Sequence, residues 1–566
     1  MKALFHGVIE EDLIYPFPEM DPEERETVSM IVDSIEKFAA AEIDVAAMDR
    51  EHHLSDELLG KLKEMGLFGL IIPEEYGGFG LSNTAYARIM ETLGGIDASL
   101  AVTVGAHQSI GLKGILVAGN EEQKKRYLPS LATGEKVAAF ALTEPEAGSD
   151  AAGIKTRAEL SEDGKAYILN GSKIWITNGR FADVFTVFAR MTNPEAGGKP
   201  KIIALIVERA FGVENGKDEE KLGIRASSTT ELFFKDVRVP VENVLGDPGR
   251  GFKVAMQVLN SGRYGLAAGS IGNSKELLRL AVERVNDRKA FGKKLGEFGM
   301  IKEKISRMVC QLYALESMTY LTTGLIDSGV GDYSLESAIA KIFGSETLWE
   351  TANEALQIAG GLGYMCEYPY ERIVRDSRIN LIFEGTNEIL RAFIALSGFQ
   401  GPGKHLKEVQ QAIREPIKGF GVLTDFVIHK AKMTFGRPSM ERAHASLRHE
   451  TVFFEWAAGE LAAATERVLR KHGRKVHLMQ FAQKRFAEVV IDLYGLAAVL
   501  SRTTAIIDQK GVEGARREIE YTAGFRALIE ERVRSKLGRM EREEDELLKA
   551  VADRAYEDGG YPLGIL

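Results

Sequence analysis

Glu384 stands in the segment LIFEGTNEIL, where apolar residues surround an acidic one. Ile382 and Phe383 precede it and Gly385 follows, so folding is expected to remove water from its carboxyl group. Desolvation disfavours the charged form of a carboxyl group and raises its pKa. A carboxylate that titrates near neutral pH can remove a weakly acidic proton from a bound substrate. We therefore predict that Glu384 is a catalytic base; the alternative is a solvated surface glutamate.

An aromatic and a hydroxyl side chain lie two residues apart in AYILNGSKIWITN. Because side chains alternate along a strand, Trp175 and Thr177 point the same way. Upstream, the segment FALTEPEAGSD forms a Pro- and Gly-shaped loop in which Thr143 and Ser149 offer hydrogen-bond donors. A flat wall next to several donors suits a flat ligand with a polar edge. For W-x-T taken alone, a core tryptophan beside a strand threonine is the alternative.

Composition limits the class of protein. The chain has 566 residues, 45% hydrophobic and 27% charged, which is typical of a folded protein with several domains. Its net charge of −10 argues against nonspecific nucleic-acid binding as the main role. We find no secretory signal and no apolar run of membrane-spanning length, and expect a cytoplasmic protein.

Cys310 and Cys366 have apolar or aromatic neighbours and are expected to be buried free thiols. We predict no metal site, because His472 and His477 lack partners at ligand spacing.

The elements that position these residues follow from hydrophobic periodicity. Helical spacing runs from Asp21 to about Leu131, with Ser55 or Asp56 able to cap one helix. Short β-branched segments follow, and helical spacing then returns to the end of the chain. GFQGPGK, residues 398–404, marks a boundary. The predicted fold is α+β and mostly α. Its domains are an N-terminal helical domain (1–136), a middle β-domain (137–250), a C-terminal domain of four-helix type (251–400) and an extra helical domain (401–566).

Five motifs occur in a fixed order: FALTEPEAGSD, WITNG, RKAFG, QIAGGLG and FEGTNEILR. Together they resemble the acyl-CoA dehydrogenase family, and most of all its very-long-chain branch, over essentially the whole chain. The resemblance implies FAD as cofactor. It also implies α,β-dehydrogenation of long-chain fatty acyl-CoA to trans-2-enoyl-CoA, the first step of fatty acid β-oxidation. Glu384 would take the α-proton while hydride passes to FAD, and electrons would leave to an electron-transfer flavoprotein.

The resemblance also assigns residues. It implies FAD contacts from Phe140, Leu142, Thr143, Gly148, Ser149, Trp175, Ile176, Thr177, Arg288, Phe291, Gln357, Gly361, Thr386, Asn387 and Glu388. It implies substrate contacts from Ser149, Asn260, Arg263, Gly111, Gly114 and Gly385. Arg288, Phe291, Gln357 and Gly361 would reach the cofactor of a neighbouring subunit, so we expect a homodimer. For Arg288 the alternative is a solvated helix charge, and for Arg263 a salt bridge on a helix surface.

Two further features have open interpretations. Gly111 and Gly114 lie three residues apart on a predicted helix, where they either deepen an acyl tunnel or allow close helix packing. Residues 467–485 are basic and partly apolar, so they either rest on an anionic membrane surface, at the inner face of the membrane, or form a solvated connector. The basic side chains are Arg467, Arg470, Lys471, Arg474 and Lys475.

Two other functions remain open. An acyl-CoA oxidase has a similar core and passes electrons to dioxygen. A scaffold or assembly factor could keep the same fold with catalysis secondary, since fold alone does not decide function. The shorter chain and the closer resemblance to the very-long-chain branch disfavour the oxidase, and the presence of Glu384, Trp175 and Thr177 favours an active enzyme over the scaffold.

Overall fold

The computed structural model describes residues 1–192, 201–414 and 439–564. The chain divides into two compact units, one formed by Pro18–Asn387 and the other by Met1–Phe17 with Glu388–Leu566. The domain boundaries expected from the sequence at 136, 250 and 400 stay predictions. The order of elements is helices, a sheet, helices, and further helices in the tail, which confirms the predicted fold class.

Helices and strands have the following bounds. The helices are α1 Pro22–Glu42, α2 Val45–Glu51, α3 Asp56–Glu64, α4 Asn83–Ile96, α5 Ala98–Gly105, α6 Lys113–Ala118, α7 Glu121–Ala132, α8 Gly251–Asp287, α9 Gly299–Asp327, α10 Ser334–Ala359, α11 Pro369–Arg378, α12 Asn387–Arg414, α13 Arg448–His472, α14 Gln480–Gly514, α15 Arg516–Gly538 and α16 Glu544–Glu557. The strands are β1 Ala138–Ala141, β2 Arg157–Leu160, β3 Ala166–Thr177, β4 Val184–Met191, β5 Ile202–Glu208, β6 Glu214–Asp218, β7 Thr229–Pro240, β8 Lys289–Ala290 and β9 Lys293–Lys294. A π-helix, Ala106–Gly111, lies between α5 and α6.

Local sequence signals explain where the first helices begin. Asp21 accepts a hydrogen bond from the Glu23 amide (2.9 Å), and Pro22 occupies the first helical position of α1. Ser55 accepts from the Leu58 amide (3.1 Å), so it is Ser55 that caps α3. Each cap satisfies an amide that no earlier turn of the helix can reach.

The sheet is irregular where it borders the site. Its strand order is β1-β4-β2-β3-β7-β6, with β5 paired to β4. β3 and β7 are antiparallel, and their register shifts between Lys173 and Ile176. Trp175 lies inside this bulge with φ +57°. A bulge bends the strand and re-aims a side chain, which frees Trp175 from the regular alternation.

Helices α4 and α8 cross at glycines. A Cβ atom on Gly94 would lie 2.5 Å from the Gly269 carbonyl oxygen, and one on Gly272 would overlap the Glu91 carbonyl oxygen. The two backbones can approach this closely only because neither glycine has a side chain. The crossing therefore fixes the distance between the two helices that form the walls of the site.

The unit formed by Met1–Phe17 and Glu388–Leu566 is named the tail unit, and it includes the N-terminus of the chain. Phe5, in the 3-10 helix Lys2–His6, packs edge-on against Phe399 with ring centroids 5.7 Å apart. Phe399 in turn packs against Phe486 of α14 at 4.9 Å. Long apolar helices form the rest of this core. By length and composition, Gln480–Gly514 of this unit and Ala98–Ala118 of the other could cross a membrane, but each is mostly buried inside the protein, as core helices are.

The two cysteines differ from each other. Cys310 is a buried free thiol, as predicted, and burial raises its pKa to about 11. Cys366 is free but exposed, so the prediction of burial was wrong for this residue. It lies in the turn between α10 and α11, where its neighbours Tyr364 and Met365 are exposed as well.

Candidate active site

A cavity that opens to solvent lies between α4, α5, the π-helix and α8. Its walls consist mostly of small and apolar side chains. They include Met90, Gly94, Ala98, Ala101, Val102, Gly105, Ala106, Ile110, Gly265, Leu266 and Gly269. Thr177 and Glu384 also line it. From Gly262, which touches Glu384, the cavity follows α8 to Asn273, a distance of about 16 Å at about 1.5 Å per residue.

Glu384 occupies a strained turn before α12. Its φ is +59° and that of Gly385 is +94°, so two successive residues are left-handed. For a residue with a side chain this conformation costs about 1–2 kcal/mol. Strain of this kind persists only where the surroundings hold it in place.

Two buried cations hold this turn through its carbonyl groups. Arg263 donates from Nε to the Glu384 carbonyl oxygen (3.2 Å) and from Nη1 to Asn260 (2.9 Å). Lys341 donates from Nζ to the Gly385 carbonyl oxygen and to the Asn387 side chain, both at 2.8 Å. Both cations are almost completely buried. Of the predicted residues, Arg263 therefore bonds directly to Glu384 and is held by Asn260, whereas Gly385 and Asn387 bond to Lys341.

The Glu384 carboxyl group is desolvated. Its Oε2 atom is buried and has no hydrogen-bond partner among the described residues. Burial raises the pKa of Glu384 to about 7, and the positive charges of Arg263 and Lys341 oppose that rise. A carboxyl group with this pKa is divided between its two protonation states at neutral pH, as a general base requires.

Trp175 and Thr177 approach the site from the sheet. Thr177 lines the cavity, whereas Trp175 exposes 62% of its surface. A large aromatic side chain at a strained position with this exposure fits contact with a flat ligand. The side chain of Ile176, between them, is buried in the sheet core, so only its backbone is available to a ligand.

A buried ion pair shapes the loop that carries Thr143. Lys173 of β3 donates to the Glu144 carboxylate (2.7 Å) and to the Leu142 carbonyl oxygen (2.9 Å). The Thr156 amide donates to the same carboxylate (3.0 Å), and the Ile174 amide to the Thr143 carbonyl oxygen (3.0 Å). This loop is therefore fixed to β3 two residues before Trp175. Phe140 packs on Phe188 with ring centroids 5.0 Å apart.

The other predicted contacts are exposed. Gly148 and Ser149 lie on the outside of the same loop. Arg288 and Phe291 belong to the β8–β9 hairpin that follows α8, and Phe291 is 94% exposed. Gln357 and Gly361 are exposed at the end of α10, which Arg284 links to the end of α8 by a bond to the Ala359 carbonyl oxygen (3.4 Å). None of these six lines the cavity. Thr386 is partly buried beside Gly385, and Glu388 is exposed in the other unit.

The predicted substrate contacts of Gly111 and Gly114 are not found, because neither glycine lines the cavity. A Cβ atom on Gly111 would lie 2.7 Å from the Ala138 carbonyl oxygen, and one on Gly114 would lie 3.1 Å from Thr186. Both glycines face the sheet, which supports the alternative interpretation, close packing. The physical reason is the π-helix Ala106–Gly111, whose wider turn changes which face each later residue occupies.

Several site residues were not predicted from the sequence. Tyr86 and Gly262 line the cavity, Lys341 holds the strained turn, and the Lys173–Glu144 pair holds the loop. A lysine in the apolar helix pattern around Lys341, and another in a strand at Lys173, were available signals of buried cations. Tyr86 and Gly262 carried no such local signal. Within residues 1–192, 201–414 and 439–564 there is no cluster of three potential metal ligands, and His472 instead bonds to Glu541 (2.7 Å).

Comparison with known proteins identifies the family. Residues 25–135, 139–237 and 249–398 match the N-terminal, middle and C-terminal domains of acyl-CoA dehydrogenase, and residues 445–561 match the ACAD9/ACADV C-terminal domain. The chain is 44% identical to the human very long-chain specific acyl-CoA dehydrogenase, mitochondrial, over 90% of this chain and 79% of that protein. The chain therefore belongs to the acyl-CoA dehydrogenase family, whose members are FAD-dependent oxidoreductases.

Solved structures agree with this assignment. The crystal structure of a Bacillus anthracis acyl-CoA dehydrogenase complexed with FAD has a TM-score of 0.81 and 34% identity, covering 95% of this chain and 91% of that one. A chain from a structure of the electron transferring flavoprotein of Acidaminococcus fermentans has a TM-score of 0.62 and 38% identity, covering 67% and 98%. The exposed, strained Trp175, two residues before the cavity-lining Thr177, fits contact with a flat flavin ring.

Proposed function

We propose that this chain catalyses the FAD-dependent α,β-dehydrogenation of long-chain acyl-CoA to the trans-2-enoyl thioester. The observation that carries the proposal is the position of the Glu384 carboxyl group, which lies buried in an apolar cavity that Thr177 also lines, where burial raises its pKa to about 7. A base that faces an apolar channel is suited to a substrate whose acidic proton is carried by a fatty chain.

Different residues of this chain have different roles in the proposed reaction. Glu384 takes the α-proton, and the fixed turn around it holds the carboxyl group in place. Trp175, Thr177 and the loop at Thr143 would hold FAD, which accepts hydride when bound. The backbone amide of Glu384 is proposed to stabilise the negative oxygen of the thioester as the proton leaves. Because the cavity excludes water from the Glu384 carboxyl group, the carboxylate is a stronger base than it would be in water.

Preference for long chains is supported by the shape of the cavity. It follows α8 for about 16 Å beyond Gly262 and is lined mostly by glycine, alanine and aliphatic side chains. A butanoyl chain would leave most of this apolar surface without a partner, so a longer chain gains more from burial. The human relative named above is specific for very long chains, which agrees with this proposal.

Anaerobic titration of the FAD-loaded protein tests the reaction and its substrate. Hexadecanoyl-CoA should bleach the flavin absorbance in the wild type and leave it unchanged in Glu384→Gln. Butanoyl-CoA should bleach the wild type more slowly. Equal or faster reduction by butanoyl-CoA would overturn the chain-length proposal and leave the dehydrogenation standing.

The two alternative functions give different results in the same experiment. An oxidase would form peroxide at a rate that matches dye reduction once oxygen is admitted. A scaffold would be a colourless protein that cannot be reconstituted with FAD. The buried base and the residues placed around it favour an active enzyme over the scaffold, and the 44% identity to the human very long-chain specific acyl-CoA dehydrogenase favours the dehydrogenase over the oxidase.

We further propose an electron-transfer flavoprotein as the acceptor and a homodimer as the working form. The similar chain from the Acidaminococcus fermentans structure supports the first. The second is supported by Phe291, Arg288, Gln357 and Gly361, which are exposed and would complete the site of a second subunit. Sedimentation velocity should give the mass of a dimer, and Arg288→Ala should weaken FAD binding without changing the fold.

We also propose a cytoplasmic location with peripheral contact to the inner face of an anionic membrane through residues 467–485. Arg474 and Lys475 are exposed on a 3-10 turn beside Leu478, which is 68% exposed. Lys471 pairs with Glu541 (3.0 Å), so part of the charge is neutralised, as in the connector interpretation. Co-sedimentation with acidic vesicles should fall at high salt and in Arg474→Glu/Lys475→Glu. Equal sedimentation of both proteins would favour the connector.

A further inference from the structure

Tyr86 of α4 has a buried hydroxyl group inside the catalytic cavity. Its side chain has no exposed surface, and its oxygen has no hydrogen-bond partner among the described residues. The nearby Ser109 hydroxyl already donates to the Gly105 carbonyl oxygen (2.7 Å). Buried hydroxyl groups are nearly always hydrogen-bonded, so an orphan one in a cavity points to a partner that enters or moves.

The orphan hydroxyl lies beside the orphan carboxyl oxygen. A Cβ atom built on Gly262 would be 2.6 Å from Glu384 Oε2, and one built on Gly265 would be 3.7 Å from the Tyr86 hydroxyl. Residues three apart lie on one face of a helix, about 5 Å apart along its axis. Tyr86 and Glu384 therefore approach the same side of α8 at adjacent turns, and the two oxygen atoms are not bonded to each other in this conformation.

The other charged groups around Glu384 act differently. Arg263, from α8, directs its donors to the Glu384 carbonyl oxygen and Asn260, and Lys341, from α10, directs its own to Gly385 and Asn387. Both act on the carboxyl group as charges at a distance. Tyr86, from α4, carries a neutral donor, and the negative Glu384 adds to the burial that raises the pKa of Tyr86, while Ser109 opposes that rise. The phenol therefore stays protonated and can act as a donor.

We propose that Tyr86 is a positioning residue, whose hydroxyl donates to the ionised Glu384 carboxylate, directly or through one water, and so favours the form that accepts the substrate proton. A donor to a carboxylate stabilises its charged form. This inference rests on the proposed role of Glu384. It adds a group that sets the pH range in which that base works.

The test is Tyr86→Phe, measured in the FAD-loaded protein. Anaerobic flavin reduction by hexadecanoyl-CoA is followed by stopped flow from pH 5.5 to pH 9.5. Loss of the donor should move the acidic limb of the rate profile up by about one pH unit, because the neutral form of Glu384 is then favoured. The rate should fall about tenfold at pH 6 and less than about twofold at pH 9. A structural defect would lower the rate equally at every pH.

Tyr264→Phe is the matched control. Tyr264 is also buried and packs at right angles to Tyr86, with ring centroids 6.3 Å apart, but its hydroxyl donates to Asn83 (2.6 Å). Removal of the Tyr264 hydroxyl group should leave the acidic limb of the rate profile at the pH of the wild type. Site-specific 3-fluorotyrosine at position 86 keeps the shape and strengthens the donor, so it should move the limb down.

The outcomes separate this inference from the function on which it rests. A limb that does not move in Tyr86→Phe, or that moves equally in Tyr264→Phe, would overturn the role of Tyr86. If Tyr86→Phe does not fold, an unmoved limb in the 3-fluorotyrosine protein would overturn that role in the same way. Reduction of the flavin by Glu384→Gln at the wild-type rate would instead overturn Glu384 as the base, whatever Tyr86 does.

Discussion

The carboxyl group of Glu384 leaves no room for a side chain on the neighbouring turn of α8. In Gly262→Ala the new methyl group would lie 2.6 Å from Oε2 and 2.8 Å from Cδ, so the carboxyl group must move. A displacement of about 1 Å from the reacting geometry lowers rates about a hundredfold. We expect that loss in the rate of flavin reduction, with FAD binding unchanged, measured by anaerobic stopped flow.

Gly265→Ala is the control for this substitution. Its methyl group would meet Tyr86 at 3.6 Å, an ordinary contact, so the rate should change only a few-fold. Equal losses in both variants would show that α8 tolerates no side chain on this face and that contact with Glu384 is not the reason.

Among single residues, the sequence predicts those whose function is recognisable from a short motif around them. Glu384 and Asn387 lie in one such segment, and the structure places them at one turn. Gly262 and Tyr86 were missed because their roles depend on contacts more than 100 residues away along the chain. Gly111 and Gly114 were misassigned because a spacing of three indicates a shared face only in a regular α-helix, and a π-helix precedes Gly114.

The Lys173–Glu144 ion pair joins a loop to a strand, and breaking it should lower the free energy of unfolding. Both side chains are almost fully buried, so removing one partner leaves an uncompensated charge. Lys173→Met is expected to lower the free energy of unfolding by about 3–5 kcal/mol, measured by urea denaturation. Lys173→Met/Glu144→Leu should recover part of that loss. A double variant less stable than the single one would contradict this account of the loop.

The α4–α8 crossing depends on the absence of a side chain at Gly272. In Gly272→Ala the new methyl group overlaps the Glu91 carbonyl oxygen, so the helices must separate. We expect a loss of about 1–3 kcal/mol in the free energy of unfolding, measured by urea denaturation. Gly269→Ala meets only the Met90 carbonyl oxygen, at 3.9 Å, and should cost nothing or stabilise α8. Similar losses in both variants would contradict the close crossing.

The elements themselves were largely predictable, since helical periodicity, caps and β-branched runs are local signals. Their crossings were not. The glycines at positions 94 and 272 belong to helices separated by the whole sheet in sequence, so only the folded chain shows that they meet. The assignment of Met1–Phe17 to the tail unit was equally hidden, because it depends on Phe5 packing against Phe399 and Phe486.

For the whole molecule, the pH dependence of stability should contain a contribution from Asp376. This side chain is buried and accepts a hydrogen bond from the Ile224 amide (2.5 Å). Burial raises the pKa of Asp376 to about 7, and the negative charge of Asp97 adds to the rise. The folded protein therefore holds this proton where the unfolded chain has lost it, between about pH 4 and pH 7, and stability falls as pH rises through that window.

Asp376→Asn removes this titration and keeps an acceptor for Ile224. The difference in the free energy of unfolding between this variant and wild type should be more favourable to the variant at pH 8 than at pH 4.5, by about 3 kcal/mol. Urea denaturation at the two pH values measures the difference. The same difference at both pH values would contradict the assignment of the proton to Asp376.

The central claim is that Glu384 removes the substrate proton, and one rate tests it most directly. Glutamine keeps the size of the side chain but cannot accept a proton, so Glu384→Gln should keep FAD bound and still bind hexadecanoyl-CoA. The rate of flavin reduction in anaerobic stopped flow should then fall by about a thousandfold or more. A variant that reduces its flavin within tenfold of the wild-type rate would show that another group takes the proton.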